Sequence, residues 1–125
     1  MDPISILTKK SATCEDLILC LYDLSSTEAR VFVELIAAGT STTDDIAAKL
    51  ERDRSTVHRA LSKLVSIGLC YKETRTLEDG GYFHVYTLAE TSKIKEQVGA
   101  RVHDICTSLQ KLLDNFDSDF RRVQR

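Results

Sequence analysis

A mainly α fold with one small β-hairpin and a long C-terminal helix is what this sequence predicts, and three observations predict it. Four segments show apolar residues at helical spacing behind recognisable caps. Two runs rich in aromatic, β-branched and Thr residues flank a Gly-Gly pair. An apolar repeat close to 3.5 residues then runs through the last part of the chain. With 125 residues, 42% hydrophobic and 29% charged, the chain has material for one domain with a modest core and not for a second.

The elements follow in order. Thr13 and Asp16 stand in cap spacing ahead of Leu17, Ile18 and Leu21, which predicts a short leading helix within residues 13–23. Ser25 and Glu28 have capping-box spacing, each able to satisfy an orphan backbone N–H, and Gly39 closes the helix they open. Val31, Phe32, Val33, Leu35 and Ile36 leave that helix little polar surface, so it is expected to be covered on more than one side. The next helix starts near Thr42 or Thr43, places Asp44 and Asp45 at the positive end of its dipole, and turns Ile46, Ala47 and Leu50 inward. Asp53 then caps a further helix, RSTVHRALSKLVS, whose Val57, Ala60, Leu61 and Leu64 form one apolar stripe. Two helices joined by so tight a turn form a helix-turn-helix.

LCYKETRTL and YFHVYTL, separated by EDGG, predict a hairpin with its tip at Glu78 to Gly81. From Glu90 to about Phe116, the residues Ile94, Val98, Val102, Ile105, Leu109, Leu112 and Phe116 recur in steps of four and three, the spacing of a coiled-coil seam. Such a helix would be roughly 40 Å long, more than a domain this small covers. Val98, Val102, Ile105, Leu109, Leu112 and Phe116 are therefore the expected interface of a homodimer. Gly99 interrupts this helix at a cost of about 1 kcal/mol relative to Ala, and close approach of another backbone is one reason for it. Residues 117–125 are expected to fray. The resulting division is a leading helix at 13–23, a winged helix-turn-helix at 24–88, a dimerisation helix at 89–116 and a tail.

This order of elements has a chemical use, since a helix in the major groove can read base edges while a hairpin reaches the flanking backbone. Lys plus Arg is 17 against 19 for Asp plus Glu, so overall charge would not draw a polyanion and a local patch must. Residues 49–75 supply one, with seven basic and three acidic side chains, or +4, while the remainder carries −6. Setting Val57 and Leu61 inward turns Ser55, Arg59, Ser62 and Ser66 outward, with Thr56, His58 and Lys63 on the flanks. Arg59 is the first candidate for base readout, because its planar fork matches O6 and N7 of guanine; Ser55 and His58 come next. Arg54 and Lys63, with Thr42 and Thr43 at the preceding helix start, suit phosphates. Lys72, Arg75 and His84 on the wing are further backbone candidates, their facing set by a strand register that the sequence leaves open.

LSSTEARVFVELIAAG, DDIAAKLERDRSTVHRALSKLVSIGL and the wing ending in YTL resemble the archaeal winged-helix transcription regulators of the TrmB-like group, with MarR-type regulators as more distant relatives. RSTVHRALSKLVSIGL is the most specific piece, a recognition helix running into a Gly and the first wing strand. The resemblance implies sequence-specific binding of double-stranded DNA by a homodimer, with Arg54, Ser55, Thr56, His58 and Arg59 in the recognition segment. The larger TrmB-like proteins carry a C-terminal sugar-sensing domain, for which this sequence has no counterpart after its long helix, so sugar sensing is not carried over. Members without that domain resemble simple dimers held by terminal helices.

Enzyme chemistry lacks its parts: there is no HExxH, no Gly-rich phosphate loop and no CxxC, and His58, His84 and His103 fall on separate elements. Cys14, Cys20, Cys70 and Cys106 match no metal spacing and are expected to be reduced and mostly buried, with Cys70 the thiol whose oxidation would most disturb DNA contact. No cofactor or metal is expected. No stretch reaches the roughly 18 to 20 apolar residues of a membrane span, and MDPISILTKK lacks a secretory pattern, so a cytoplasmic protein without a membrane partner is expected. Promoter occupancy would most often repress. The alternative is a winged-helix module that docks on the transcription machinery without reading DNA; it would show apolar or acidic residues where this recognition helix has Ser, Arg and Lys.

Overall fold

Seven helices make up most of the described residues, and four of them begin where a side-chain oxygen accepts from an otherwise unsatisfied backbone N–H. In the computed structural model, which describes residues 2–124, the seven are α1 (Pro3–Thr8), α2 (Cys14–Leu21), α3 (Ser26–Ala38), α4 (Thr43–Leu50), α5 (Arg54–Ser66), α6 (Thr91–Asp114) and α7 (Phe116–Gln124). Ser25 and Glu28 close the expected capping box on α3: Glu28 N–H donates to Ser25 Oγ at 3.1 Å and Ser25 N–H to Glu28 Oε1 at 2.8 Å. Thr42 caps α4 by accepting from Asp45 N–H, and Asp53 caps α5 by accepting from Thr56 N–H. Glu51, in the left-handed region at φ 54°, turns the chain between α4 and α5. The helix-turn-helix is therefore built as the sequence predicts.

Strands β1 (Thr40–Ser41), β2 (Cys70–Thr76) and β3 (Tyr82–Leu88) form one antiparallel sheet in the order β1-β3-β2. The hairpin lies where expected, and β1 adds a short third strand, with Thr40 opposite Thr87 and Ser41 opposite Tyr86. Gly68, at φ +84°, carries the chain from α5 into β2. A side chain there would also collide with Gln97 Oε1, 2.7 Å from the position of its Cβ.

The core lies between α3, α4, α5 and the base of the wing. Val31, Phe32 and Leu35 meet Ile46, Leu50, Val57, Leu61, Leu64, Leu69 and Tyr86 in one buried cluster. α3 is not covered on more than one side, because Val33 and Ile36 face outward at 38% and 47% exposure. α1 was not legible in the sequence; Asp2 caps it and Pro3 occupies its first turn, where a missing N–H costs nothing. Residues 117–124 of the expected frayed tail are instead helix α7, and residue 125 lies outside the described residues. Of the four thiols only Cys70 is buried; Cys14 and Cys106 are exposed, which corrects the expectation for the set. Among the described residues, no helix is long and apolar enough to cross a membrane.

α6 forms over the expected span, but its seam divides. Val98 belongs to the domain's own core cluster and is removed from the expected dimer surface, while Ile94 and the half-buried Val102 pack against that cluster. Gln97 Nε2 donates to Tyr22 Oη at 2.7 Å and to Ile67 O at 2.6 Å, and Arg101 donates to Leu21 O while its guanidinium lies 4.6 Å from the Tyr22 ring centre. Beyond this anchorage Ile105, Leu109, Leu112, Leu113, Phe116, Phe120 and Val123 are all exposed. Among the described residues, nothing outside its own helix turn lies within 4 Å of the place a Cβ at Gly99 would take.

Candidate nucleic-acid interface

α5 presents its outer face beside one face of the wing. Val57, Ala60, Leu61 and Leu64 point into the core, which leaves Arg54, Ser55, His58 and Arg59 exposed and Thr56 half-buried. The register pairs Lys72 with Tyr86, Thr74 with His84 and Thr76 with Tyr82, so these six side chains share a face. At the wing base that face buries Tyr86 beside the exposed Lys72; toward the tip it carries His84 and Tyr82. A cleft of about 500 Å³ separates it from the helix-turn-helix, lined by Thr42, Asp44, Arg54, His58, Lys72 and His84 among others. Arg54, Ser55 and His58 also line a second hollow on the outer side of α5.

The start of α5 is a hydrogen-bonded unit centred on Asp53. Its Oδ1 accepts from Thr56 Oγ1 at 2.6 Å, and its Oδ2 accepts from Ser55 Oγ at 2.7 Å and Thr56 N–H at 3.0 Å. These donors, the Thr56 and Ser55 hydroxyls foremost, hold the Asp53 carboxyl far below the usual carboxylate range. Arg59 Nη2 donates to Thr56 Oγ1 at 3.3 Å, so the favoured base reader is tethered to the same unit while remaining exposed. Arg54 Nε pairs with Asp44 Oδ1 at 2.8 Å across the mouth of the cleft. On the wing, Thr74 Oγ1 and His84 Nδ1 are 3.2 Å apart and the His84 ring meets Tyr82 edge-on.

Three of the expected phosphate contacts are corrected. Lys63 Nζ donates to Glu28 Oε1 at 3.0 Å and to Asp23 O at 3.1 Å, clasping α5 to α3. Burial opposes ionisation of Glu28, but the Ser25 N–H and then the Lys63 ammonium outweigh it and hold its carboxyl below the usual range. Thr43 lines the cleft beside Thr42 but is only 5% exposed, so its hydroxyl offers a phosphate little surface. Arg75 lies opposite Phe83 on the other face of the wing, with Glu73 at 3.9 Å. Thr42, Arg54, Lys72 and His84 stay together around the cleft. Tyr82, 69% exposed at the wing tip, was missed; its position two residues before His84 on an alternating strand was the available signal.

Cys70 is also revised. Burial pushes its thiol up to about 11, which makes it a poor source of thiolate. Among the described residues, no group of three His, Cys, Asp or Glu side chains is placed to hold a metal ion.

Helix-turn-helix, adjoining hairpin and an exposed basic helix face define a winged-helix regulator. The family described as "Sugar-specific transcriptional regulator TrmB" matches residues 19–92, and the chain belongs to that family of transcription regulators. Among its relatives is the uncharacterised protein MJ1082 of Methanocaldococcus jannaschii, 31% identical over 107 residues, which span 86% of this chain and 88% of the relative. Among solved structures, a "Possible transcriptional regulator from Methanosarcina mazei Go1" superposes with a TM-score of 0.73 at 22% identity, covering 86% of this chain and 93% of the other. The archaeal chromatin protein TrmBL2, whose structure is described as showing a novel mode of DNA binding, superposes with a TM-score of 0.54 at 19% identity over 89% of this chain and 41% of its own. The family match covers the winged-helix portion and ends just inside α6.

Proposed function

We propose that this chain binds specific double-stranded DNA sequences as a homodimer and regulates transcription, by default as a repressor that occludes a promoter. α5 enters the major groove with Arg59, Ser55, Thr56 and His58 toward base edges, and Arg54 with Thr42 meets phosphates at its flank. Lys72, His84 and Tyr82 on the cleft-facing side of the wing meet the adjoining backbone or minor groove. The exposed stripe from Ile105 to Val123 pairs two copies, so two recognition helices address successive major grooves roughly 34 Å apart on a pseudopalindromic site. Location in the cytoplasm fits such a role.

The observation that carries this proposal is the shared orientation of the exposed α5 face and the Lys72 and His84 face of the wing around one cleft. The outer surface of α5 carries Arg, Ser and His rather than the apolar or acidic side chains a protein-docking module would need. A mobility-shift titration on the DNA upstream of the chain's own gene tests it. A complex that weakens steeply with salt is expected, and Arg59→Ala should cost about 1 to 3 kcal/mol on the specific site and less on random DNA. A protein that shifts no DNA at low salt would overturn the proposal and favour the docking module.

A further inference from the structure

The hydrogen bonds of Asp53 restrict what Ser55 can read, an inference that rests on the DNA-reading role proposed for α5. A hydroxyl has one proton to give and two lone pairs to offer, whereas an ionised carboxylate only accepts. Ser55 Oγ and Thr56 Oγ1 lie 2.7 and 2.6 Å from Asp53, so both must donate to it. The same contacts keep that carboxyl ionised near neutral pH. Thr56 Oγ1 also accepts from Arg59 Nη2, which leaves the exposed Ser55 as the hydroxyl with both lone pairs free. Turning the Ser55 proton toward a base would break a bond to a charged acceptor, of the kind about twice as strong as a neutral one.

We infer that Asp53 makes Ser55 an acceptor-only reader, which selects a base offering an amino donor in the major groove, adenine or cytosine, over guanine or thymine on the strand it faces. Asp53 is here a positioning residue: it touches no base and acts through the direction of the Ser55 proton. Because Asp53 Oδ2 accepts both the cap N–H and the Ser55 hydroxyl, an Asn there would keep the Ser55 acceptor, whereas Asp53→Gly removes it, frees the Ser55 proton to turn outward and leaves a residue type tolerated at a helix cap.

Selection of binding sites from a random duplex pool with wild type, Ser55→Ala and Asp53→Gly tests the inference. In the wild-type site one position per half should be adenine or cytosine, and its preference should vanish in Ser55→Ala. Replacing that adenine or cytosine by its analogue lacking the exocyclic amino group should weaken wild-type binding roughly 3- to 10-fold and leave Ser55→Ala unaffected. Asp53→Gly should admit guanine or thymine there. A Ser55-dependent position occupied by guanine or thymine, an unchanged sequence with Ser55→Ala, or an equal analogue penalty in both proteins overturns this inference while sequence reading stands. A pool with no enriched sequence overturns both.

Discussion

Between Thr91 and Val102, α6 lies against its own domain, with Val98 only 8% exposed and Gln97 and Arg101 bonded to residues of α2 and the α5–β2 turn. From Ile105 onward the same apolar repeat is bare, with Leu109 and Leu112 at 59% and 65% exposure. The polar neighbours separate the two halves better than the repeat does: the anchored part has side chains that reach carbonyls and a ring elsewhere in the fold, and the bare part has none of these contacts. A heptad pattern states that a helix has an apolar seam and not whose surface covers it.

The strongest way to break this contrast is a charge at its two ends. Val98→Asp buries a carboxylate in the domain core and should cost about 3 kcal/mol or more, seen as a lower urea midpoint at low protein concentration. If the midpoint is unchanged, the first half of α6 does not stabilise the domain. The paired change Leu109→Asp with Leu112→Asp should weaken self-association at least 100-fold, about 2.7 kcal/mol, in sedimentation, while far-UV helicity of the wing-bearing domain stays near wild type. A double variant that sediments like wild type would remove the exposed stripe as an assembly surface. Gly99→Ala should have the smallest effect, raising stability by up to about 1 kcal/mol because a Cβ there meets nothing within 4 Å. A loss of association from that substitution would instead place a second backbone across Gly99, and the division between the two halves would move toward the N-terminus.

Much of the winged helix was legible because its signals are local. Ser25 with Glu28, Asp53 with its two hydroxyl neighbours, and the EDGG turn each fix an element boundary within a few residues. What stayed hidden depends on distant partners. Lys63 reads as a phosphate contact by its place on α5, yet its acceptors are Glu28 and the Asp23 carbonyl, some 35 to 40 residues earlier. β1 is two residues long and exists only through pairing with β3, so no periodicity could reveal it. Arg75 and Lys72 look equivalent in sequence until the register sets them on opposite faces. In the candidate site, the outward-facing residues of α5 were recoverable from its apolar stripe, whereas the commitment of the Ser55 and Thr56 protons to Asp53 required rotamers.

The Gln97 bonds to Tyr22 and Ile67 also make α6 a lever fixed to the reading domain. In any pair of copies crossing on the exposed stripe, sliding the contact by one heptad would displace each reader by roughly 10 Å, close to three base-pair steps. The gap between half-sites that such a pair tolerates is then dictated by where the two levers cross, many residues away from every atom that touches a nucleotide.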